Sequence, residues 1–233
     1  MAVTLEREGG VGVIVLDRPP ANSYDYDFLR QFGSAIDDAR VADGICAVVV
    51  TSALEKFFSA GADVAAFQAG TANHRSMTAL LAHEVFRKME NTPFAVEGRY
   101  QLGLPEVNLG LFPGSGGTQR LPRIVGLSRG IDMIVNARTQ TPAEAKESGL
   151  VDRLFPDSAA CRAGAIEYAP KLAEGPSEAI GHAKVAASLG FTAPLDLGLA
   201  IEREAIARVF VSDDAHEGIA AFTEKRKPAF KGR

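Results

Sequence analysis

Cysteine is scarce in this chain of 233 residues, which has only Cys46 and Cys161. The two have no ligand spacing with each other or with His74, His83, His182 and His216, so neither a disulfide framework nor a metal site is expected. A reducing, cytoplasmic setting follows from that scarcity. Clustered positive charge is also lacking: the net charge is −4, and no basic block occurs before the last ten residues. Phosphate neutralisation needs grouped Lys and Arg, so no nucleic-acid partner is expected. No apolar run is long enough to cross a bilayer, and the opening Met1-Ala2-Val3-Thr4-Leu5-Glu6-Arg7-Glu8 is not a secretory leader. No membrane partner is expected. Internal repeats and low-complexity linkers are absent as well. What is present, 46% hydrophobic and 23% charged residues, has the balance of a globular protein. The length suits one sizeable α/β domain with a small helical appendage.

The hydrophobic pattern gives the element order. Gly10 to Leu16 reads as a strand with Thr4–Glu8 as its hairpin partner, and Arg18-Pro19-Pro20 ends it, because prolines cannot donate to a ladder. Phe28, Leu29, Phe32, Ile36 and Ala39 recur at a helical period between Tyr26 and Arg40. The nearly all-apolar run Ile45–Val50 predicts a strand buried on both faces. After a loop from Thr51 to Gly61, residues His74–Glu90 predict an amphipathic helix closed by Asn91-Thr92-Pro93. No buried strand is expected in the stretch from Phe94 to Gly103. A helix is expected from about Thr118, after the turn Pro113-Gly114-Ser115-Gly116-Gly117. Thr141-Pro142-Ala143-Glu144 is a helix start with Thr as N-cap and Glu three residues on, and Gly149 suits its end. Beyond Asp157 the chain reads as largely helical, with caps at Ser177 and Asp213.

Three stretches could carry chemistry. In Phe58-Ser59-Ala60-Gly61-Ala62-Asp63 the small residues let a ligand approach the backbone, whose free N–H groups can stabilise an oxyanion. The same loop alone also fits an ordinary strand-to-helix turn. Glu106, between Pro105 and an apolar segment, fits either a partly buried acid or base or a solvated strand-end residue. The glycine-rich turn ends in neither the Gly-Lys-Ser/Thr of a phosphate loop nor the third glycine of a dinucleotide fingerprint, since Gln119 stands there. It is not a nucleophile elbow either, because Pro113 occupies the first glycine position. It fits a helix N-terminus packed against a sheet, with its positive dipole end near whatever Glu106 faces. The histidines lie on polar or helical segments and are given no role.

Taken together these stretches resemble the crotonase family, most closely the enoyl-CoA hydratases. The resemblance is carried by Leu16-Asp17-Arg18-Pro19-Pro20-Ala21-Asn22, by Phe58 to Asp63, and by Leu104-Pro105-Glu106-Val107 continuing to Leu121-Pro122-Arg123. The Thr141–Glu144 cap with Ala145-Lys146 and Gly149-Leu150-Val151-Asp152 adds to it, as does Glu217-Gly218 to Phe222-Thr223-Glu224-Lys225-Arg226-Lys227-Pro228. It implies an α/β fold: a spiral of ββα units over residues 1–157 and a helical C-terminal trimerisation region over 158–233. Trimers of this kind often pair into hexamers. It implies that the Ala62 N–H supplies half of an oxyanion hole and that Glu106 moves a proton at the α or β carbon of a thioester. Ala21, Ala60, Gly61, Ala62 and Asp63 would line a coenzyme A groove, with Lys56 near the phosphates. Phe222 and Lys225, with Arg226 and Lys227, would close over coenzyme A, although the same basic tail also reads as a solvated terminus. No metal or redox cofactor is implied, coenzyme A being part of the substrate. The implied activity is hydration of an enoyl-CoA at its 2,3 double bond. An isomerase or another thioester lyase is the alternative within the fold, and a non-catalytic coenzyme A-binding relative lies outside catalysis.

The chain departs from that pattern at one place. Family members carry a buried strand, a glycine-rich loop and a helix start between the positions of Pro93 and Phe94, roughly 25 residues at ordinary element lengths. That loop holds a second oxyanion N–H and a second glutamate. Losing a central strand would orphan ladder groups at about 1–3 kcal/mol each. The expectation is therefore that Pro93 and Phe94 are not neighbours in the folded molecule.

Overall fold

The computed structural model describes residues 1–90, 95–97 and 101–232. The expected break between Pro93 and Phe94 lies outside the described residues. Two compact units are formed, the first by Met1–Leu5, Ile14–Arg40 and Val50–Ala165, the second by Glu6–Val13, Val41–Val49 and Ile166–Arg233.

Val3–Glu8 (β1), Val11–Leu16 (β2) and, after Tyr26–Val41 (α1), Ala47–Ser52 (β3) make a three-stranded sheet in the order β1-β2-β3. Helix α1 buries Phe28, Leu29, Phe32, Ile36 and Ala39, the stripe its period predicts. The expectation of a strand at Ile45–Val50 buried on both faces needs correcting. β3 starts two residues later and buries only Val49, whereas every residue of β2 is buried. Among the described residues β2 is the central strand and β3 stands at the edge of this sheet, where a strand keeps one flank unpaired.

Val64–Ala69 (α2) and Ala72–Arg87 (α3) follow, the second beginning two residues before the predicted start because the Thr71 hydroxyl caps it on His74 N. In the stretch where no buried strand was expected, Ala95–Glu97 (β4) forms a short strand. The period-2 signal does not show in three residues; the pairing partner, in parallel, is Arg153–Phe155, reached only at the far end of the unit. Leu102–Gly103 (β5) pairs antiparallel with Thr139–Gln140 (β6), so closely that a Cβ on Gly103 would lie 2.8 Å from Arg138 O. Between them lie Gly117–Val125 (α4) and Leu127–Val135 (α5). Pro142–Glu147 (α6) carries the expected capping box, and Gly149 is left-handed at φ +78°. Arg153–Phe155 is β7.

Ser158–Ala173 (α7) leads into the helices of the second unit, Ser177–Gly190 (α8), Leu195–Val209 (α9) and Asp213–Glu224 (α10). The two expected caps shift by one residue. Ser177 is already helical behind Pro176 and makes no capping bond, and α10 is capped by Ser212, whose hydroxyl accepts from Ala215 N. Helices α8 and α9 approach closely at Gly190 and Gly198. Leu195, Leu197, Leu199 and Ile206 on α9 remain exposed. The tail after α10 folds back on it: Arg226 takes both carboxylate oxygens of Glu217, and the buried Asp214 accepts from Lys231 N and Gly232 N.

Candidate active site

One half of the candidate site is organised by Asn22. It is fully buried at a left-handed φ of +51°, a conformation asparagine tolerates better than most residues. Its Oδ1 accepts from Arg18 N at 2.6 Å, and its Nδ2 donates to Leu16 O, Ser52 Oγ and Phe58 O at 3.3, 2.9 and 3.0 Å. The Ser59 hydroxyl returns a bond to Asn22 O at 2.8 Å. The loop 58–63 is thereby drawn onto the segment 17–24, and Ala60 N donates to Ala21 O at 2.9 Å.

The next two bonds, Tyr24 N to Gly61 O at 2.8 Å and Asp63 N to Tyr24 O at 2.9 Å, form a parallel bridge between Tyr24 and Ala62. Such a bridge uses the groups on either side of Ala62 and turns Ala62's own N–H and C=O the other way. Among the described residues the Ala62 N–H has no acceptor, which leaves it available to an incoming oxygen. Asp63 closes the loop: its carboxylate caps α2 through Ala66 N at 3.0 Å and pairs with Arg18 at 3.4 Å, while Arg18 also pairs with Asp25 at 2.7 Å. Burial works to raise the Asp25 pKa, but the Phe28 N–H and the Arg18 guanidinium outweigh it and hold the carboxyl below its usual range.

Ala60, Ala62 and Asp63 line a half-open cavity of about 460 Å³ together with Arg18, Pro19 and Pro20. That volume falls within the range of small-molecule pockets, roughly 300–1,000 Å³. Of the residues singled out for coenzyme A, Ala60, Ala62 and Asp63 line this cavity, and Ala21 and Gly61 belong to the backbone bonds that lace the same loop. Lys56 is exposed in the loop after β3, and Phe222 and Lys225 are exposed residues of the second unit.

Glu106 forms the other half. It opens a 3₁₀ turn, Glu106–Leu109, closed by Gly110 in the left-handed region. Its carboxylate is not the solvated strand end that sequence alone also allowed: Oε2 is buried and has no hydrogen-bond partner among the described residues. A buried, unpartnered carboxylate oxygen is costly, and such groups mark sites where a ligand or a proton completes the bonding. The turn 113–117 packs against this segment; a Cβ on Gly117 would lie 2.8 Å from both Leu104 Cδ1 and Pro113 Cβ, so only glycine fits.

That turn is held by residues to which the sequence gave no role. Tyr24 Oη bonds Ser115 Oγ at 3.1 Å, with the Tyr24 ring edge-on to Phe86 at 5.4 Å. Arg120, paired with Glu90 at 2.6 Å, donates to Ser115 O, and His83 Nε2 lies 2.7 Å from Gly114 O. Burial pushes the Tyr24 phenol up; the Ser115 bond opposes this, and the nearby Glu106 charge adds to it. The phenol is therefore a neutral hydrogen-bonding group at physiological pH. Nothing in the spacing of Tyr24 and Ser115, 91 residues apart, signals their pairing. Among the described residues no group of His, Cys, Asp and Glu could hold a metal ion, and no helix is long and apolar enough to cross a membrane.

The family model described as enoyl-CoA hydratase/isomerase matches residues 6–98 and 95–233. The short-chain-enoyl-CoA hydratase of Clostridium acetobutylicum is 33% identical over 257 aligned positions, covering 99% of this chain and 98% of its own. The 2,3-dehydroadipyl-CoA hydratase of Escherichia coli is 32% identical, with 98% of each chain covered. A crystal structure of enoyl-CoA hydratase from Bacillus anthracis superimposes with a TM-score of 0.93 at 30% identity, covering 100% of both chains. The first alignment spans 257 positions against a chain of 233 residues, so at least 24 positions of it have no residue here. The two stretches matched by the family model meet at residues 95–98.

Proposed function

This chain belongs to the enoyl-CoA hydratase/isomerase family, and from that membership we propose that it is an oligomeric, cytoplasmic enzyme that adds water across the 2,3 double bond of an enoyl-CoA thioester. The observation that carries the reading is the buried Glu106 oxygen, in the same unit as the Ala62 N–H, each without a hydrogen-bond partner among the described residues.

The thioester carbonyl accepts a hydrogen bond from Ala62 N–H. Water attacks C3, a C–O bond forms there, and the C2=C3 π pair moves through C2 onto the carbonyl oxygen as an enolate. The proton released by the water passes to Glu106, which returns it to C2 as the carbonyl re-forms. The sum is one water added, with the carboxylate regenerated. Stabilising the enolate oxygen is the main lever and proton transfer the second. No metal or redox cofactor takes part.

Coenzyme A lies along Ala21 and Ala60–Asp63, with Lys56 toward its phosphates. The exposed apolar row Leu195, Leu197, Leu199 and Ile206 supports a trimer or a dimer of trimers. Light scattering at micromolar concentration should give one of these masses; a monomer would remove the oligomer from the reading.

One observation favours the second reading, double-bond isomerisation or another thioester lyase reaction by the same oxyanion chemistry. The family model matches in two stretches that overlap at residues 95–98, beside the position where the resemblance puts a second glutamate. Incubation with a crotonyl thioester separates the readings: loss of the enoyl absorbance with formation of the 3-hydroxy thioester is expected. Stable crotonyl thioester together with conversion of a 3-enoyl thioester would move the assignment to isomerase. Binding without either turnover would leave a coenzyme A-binding protein.

A further inference from the structure

We propose that Tyr24 and Ser115 are positioning residues, which together hold the attacking water against Glu106; the inference rests on the hydratase reading. A hydroxyl carries one hydrogen and two lone pairs. In the Tyr24–Ser115 bond one of the two hydrogens is used, and the other has no acceptor among the described residues. Glu106 Oε2 is the converse, a buried acceptor with no donor. Both belong to groups packed on one short turn, Ser115 within it and the Glu106 segment against its Gly117.

A water placed between them accepts from the spare hydroxyl hydrogen and donates to Glu106 Oε2. That leaves a lone pair on its oxygen for C3. The backbone bridge fixes the other end of the reaction, because Tyr24 is bonded on both sides of Ala62, the residue that faces the thioester oxygen. Tyr24 thus ties the oxyanion donor to the water site through one residue. The other ionisable groups on the turn are already engaged: Arg120 with Glu90 and with Ser115 O, and His83 with Gly114 O. The phenol is kept protonated by burial and by the neighbouring Glu106 charge, so it stays a donor throughout the working range.

The test is steady-state hydration of a crotonyl thioester by the wild type, Tyr24→Phe, Ser115→Ala and Ser115→Thr, with thermal unfolding of each. Tyr24→Phe keeps the ring on Phe86 and removes only the hydroxyl. The expected result is a ~10-fold fall in kcat for Tyr24→Phe and Ser115→Ala with KM changed by no more than about 2-fold. Ser115→Thr, which keeps the hydroxyl, should recover most of kcat. Unchanged kcat in a wild-type-active enzyme would overturn the proposal. So would losses of kcat and KM that follow Tm alone, the mark of a merely structural strap. A wild type that does not hydrate the thioester would instead overturn the functional reading, and this inference with it.

Discussion

Between Leu16 and Asp63 polar groups are bonded to one another. Asn22 makes four hydrogen bonds with its side chain, Arg18 joins Asp25 and Asp63, and the loop 58–63 is laced to residues 21–24 by three backbone bonds. The Ala62 N–H at the centre of that lacing has no acceptor among the described residues. The turn around Glu106 is built differently. Its scaffold is also bonded, through Arg120, His83 and Tyr24, but the group at its centre is a carboxylate oxygen kept from both water and protein donors. The contrast separates two ways in which an enzyme spends stability. The first region fixes the position of a backbone dipole, so its residues matter through folding. The second keeps a charged side chain unsatisfied until substrate and water arrive, so its central residue matters through turnover.

Substitution should expose that division, most strongly at Glu106. Glu106→Gln keeps the shape and removes the titrating oxygen pair. Turnover should fall by ~10²-fold or more with little change in KM. Its Tm should stay the same or rise, because a neutral amide is cheaper to bury than an unpaired carboxylate. Steady-state kinetics beside calorimetry check both halves, and a clear drop in Tm would break the contrast.

Asn22→Ala should behave in the opposite sense. It leaves Arg18 N and Phe58 O without their partner, removes one of two donors to Leu16 O, and puts a β-carbon without a capping amide at φ +51°. A loss of about 3 kcal/mol is expected, which in a chain of this size lowers Tm by roughly 6–12 °C. Activity should be lost with the fold rather than ahead of it; an unaltered Tm would show that the loop does not depend on this residue. Ser59→Ala removes only the bonds to Asn22 O and Gly61 N and should cost about 1 kcal/mol, read as a shift in denaturant midpoint at unchanged slope.

Much of the first region could be read from the residues, because local chemistry dictates it. Prolines end β2 and small residues shape the loop, just as, outside both regions, the Thr141 and Gly149 signals place α6 where it is found. The second region was legible only at Glu106. Its carboxylate is isolated by packing between segments that no local pattern connects, and Tyr24 reaches Ser115 across 91 residues. β3 was misread because apolar composition reports what a strand can bury, while its place at the sheet edge decides what it does bury. β4 carries no local signal for the related reason that its register is set by Arg153–Phe155, far along the chain.

The smallest expected effect lies at the two ends of the pH scale, where each region has its own titrating group. Asp25 has a folded pKa below its ordinary value of 3.8, so the native state favours the carboxylate. Its contribution to stability is complete above pH 3.8 and is lost as pH falls below that value through the folded pKa. Tyr24 has a folded pKa above its ordinary value of 10.0, so the native state favours the neutral phenol. That contribution is complete below pH 10.0 and is lost as pH rises through the folded pKa. Acid should therefore loosen the Asn22 region first and alkali the Glu106 turn, with neither group contributing a slope between. Hydrogen exchange resolves the two, through the Phe28 amide, which donates to Asp25 Oδ1, and the amides of the turn 113–117. Asp25→Asn keeps an acceptor for Phe28 N and removes the charge, so it should flatten the acid slope and leave the alkaline one alone. Tyr24→Phe should do the reverse. The acid effect will be modest, because the Arg18–Asp25 pair is about a quarter exposed, 30% and 26% for the two side chains, and water screens it. Equal acid slopes in the wild type and Asp25→Asn would mean that the Arg18 network does not hold the loop, and would leave Asn22 as its anchor.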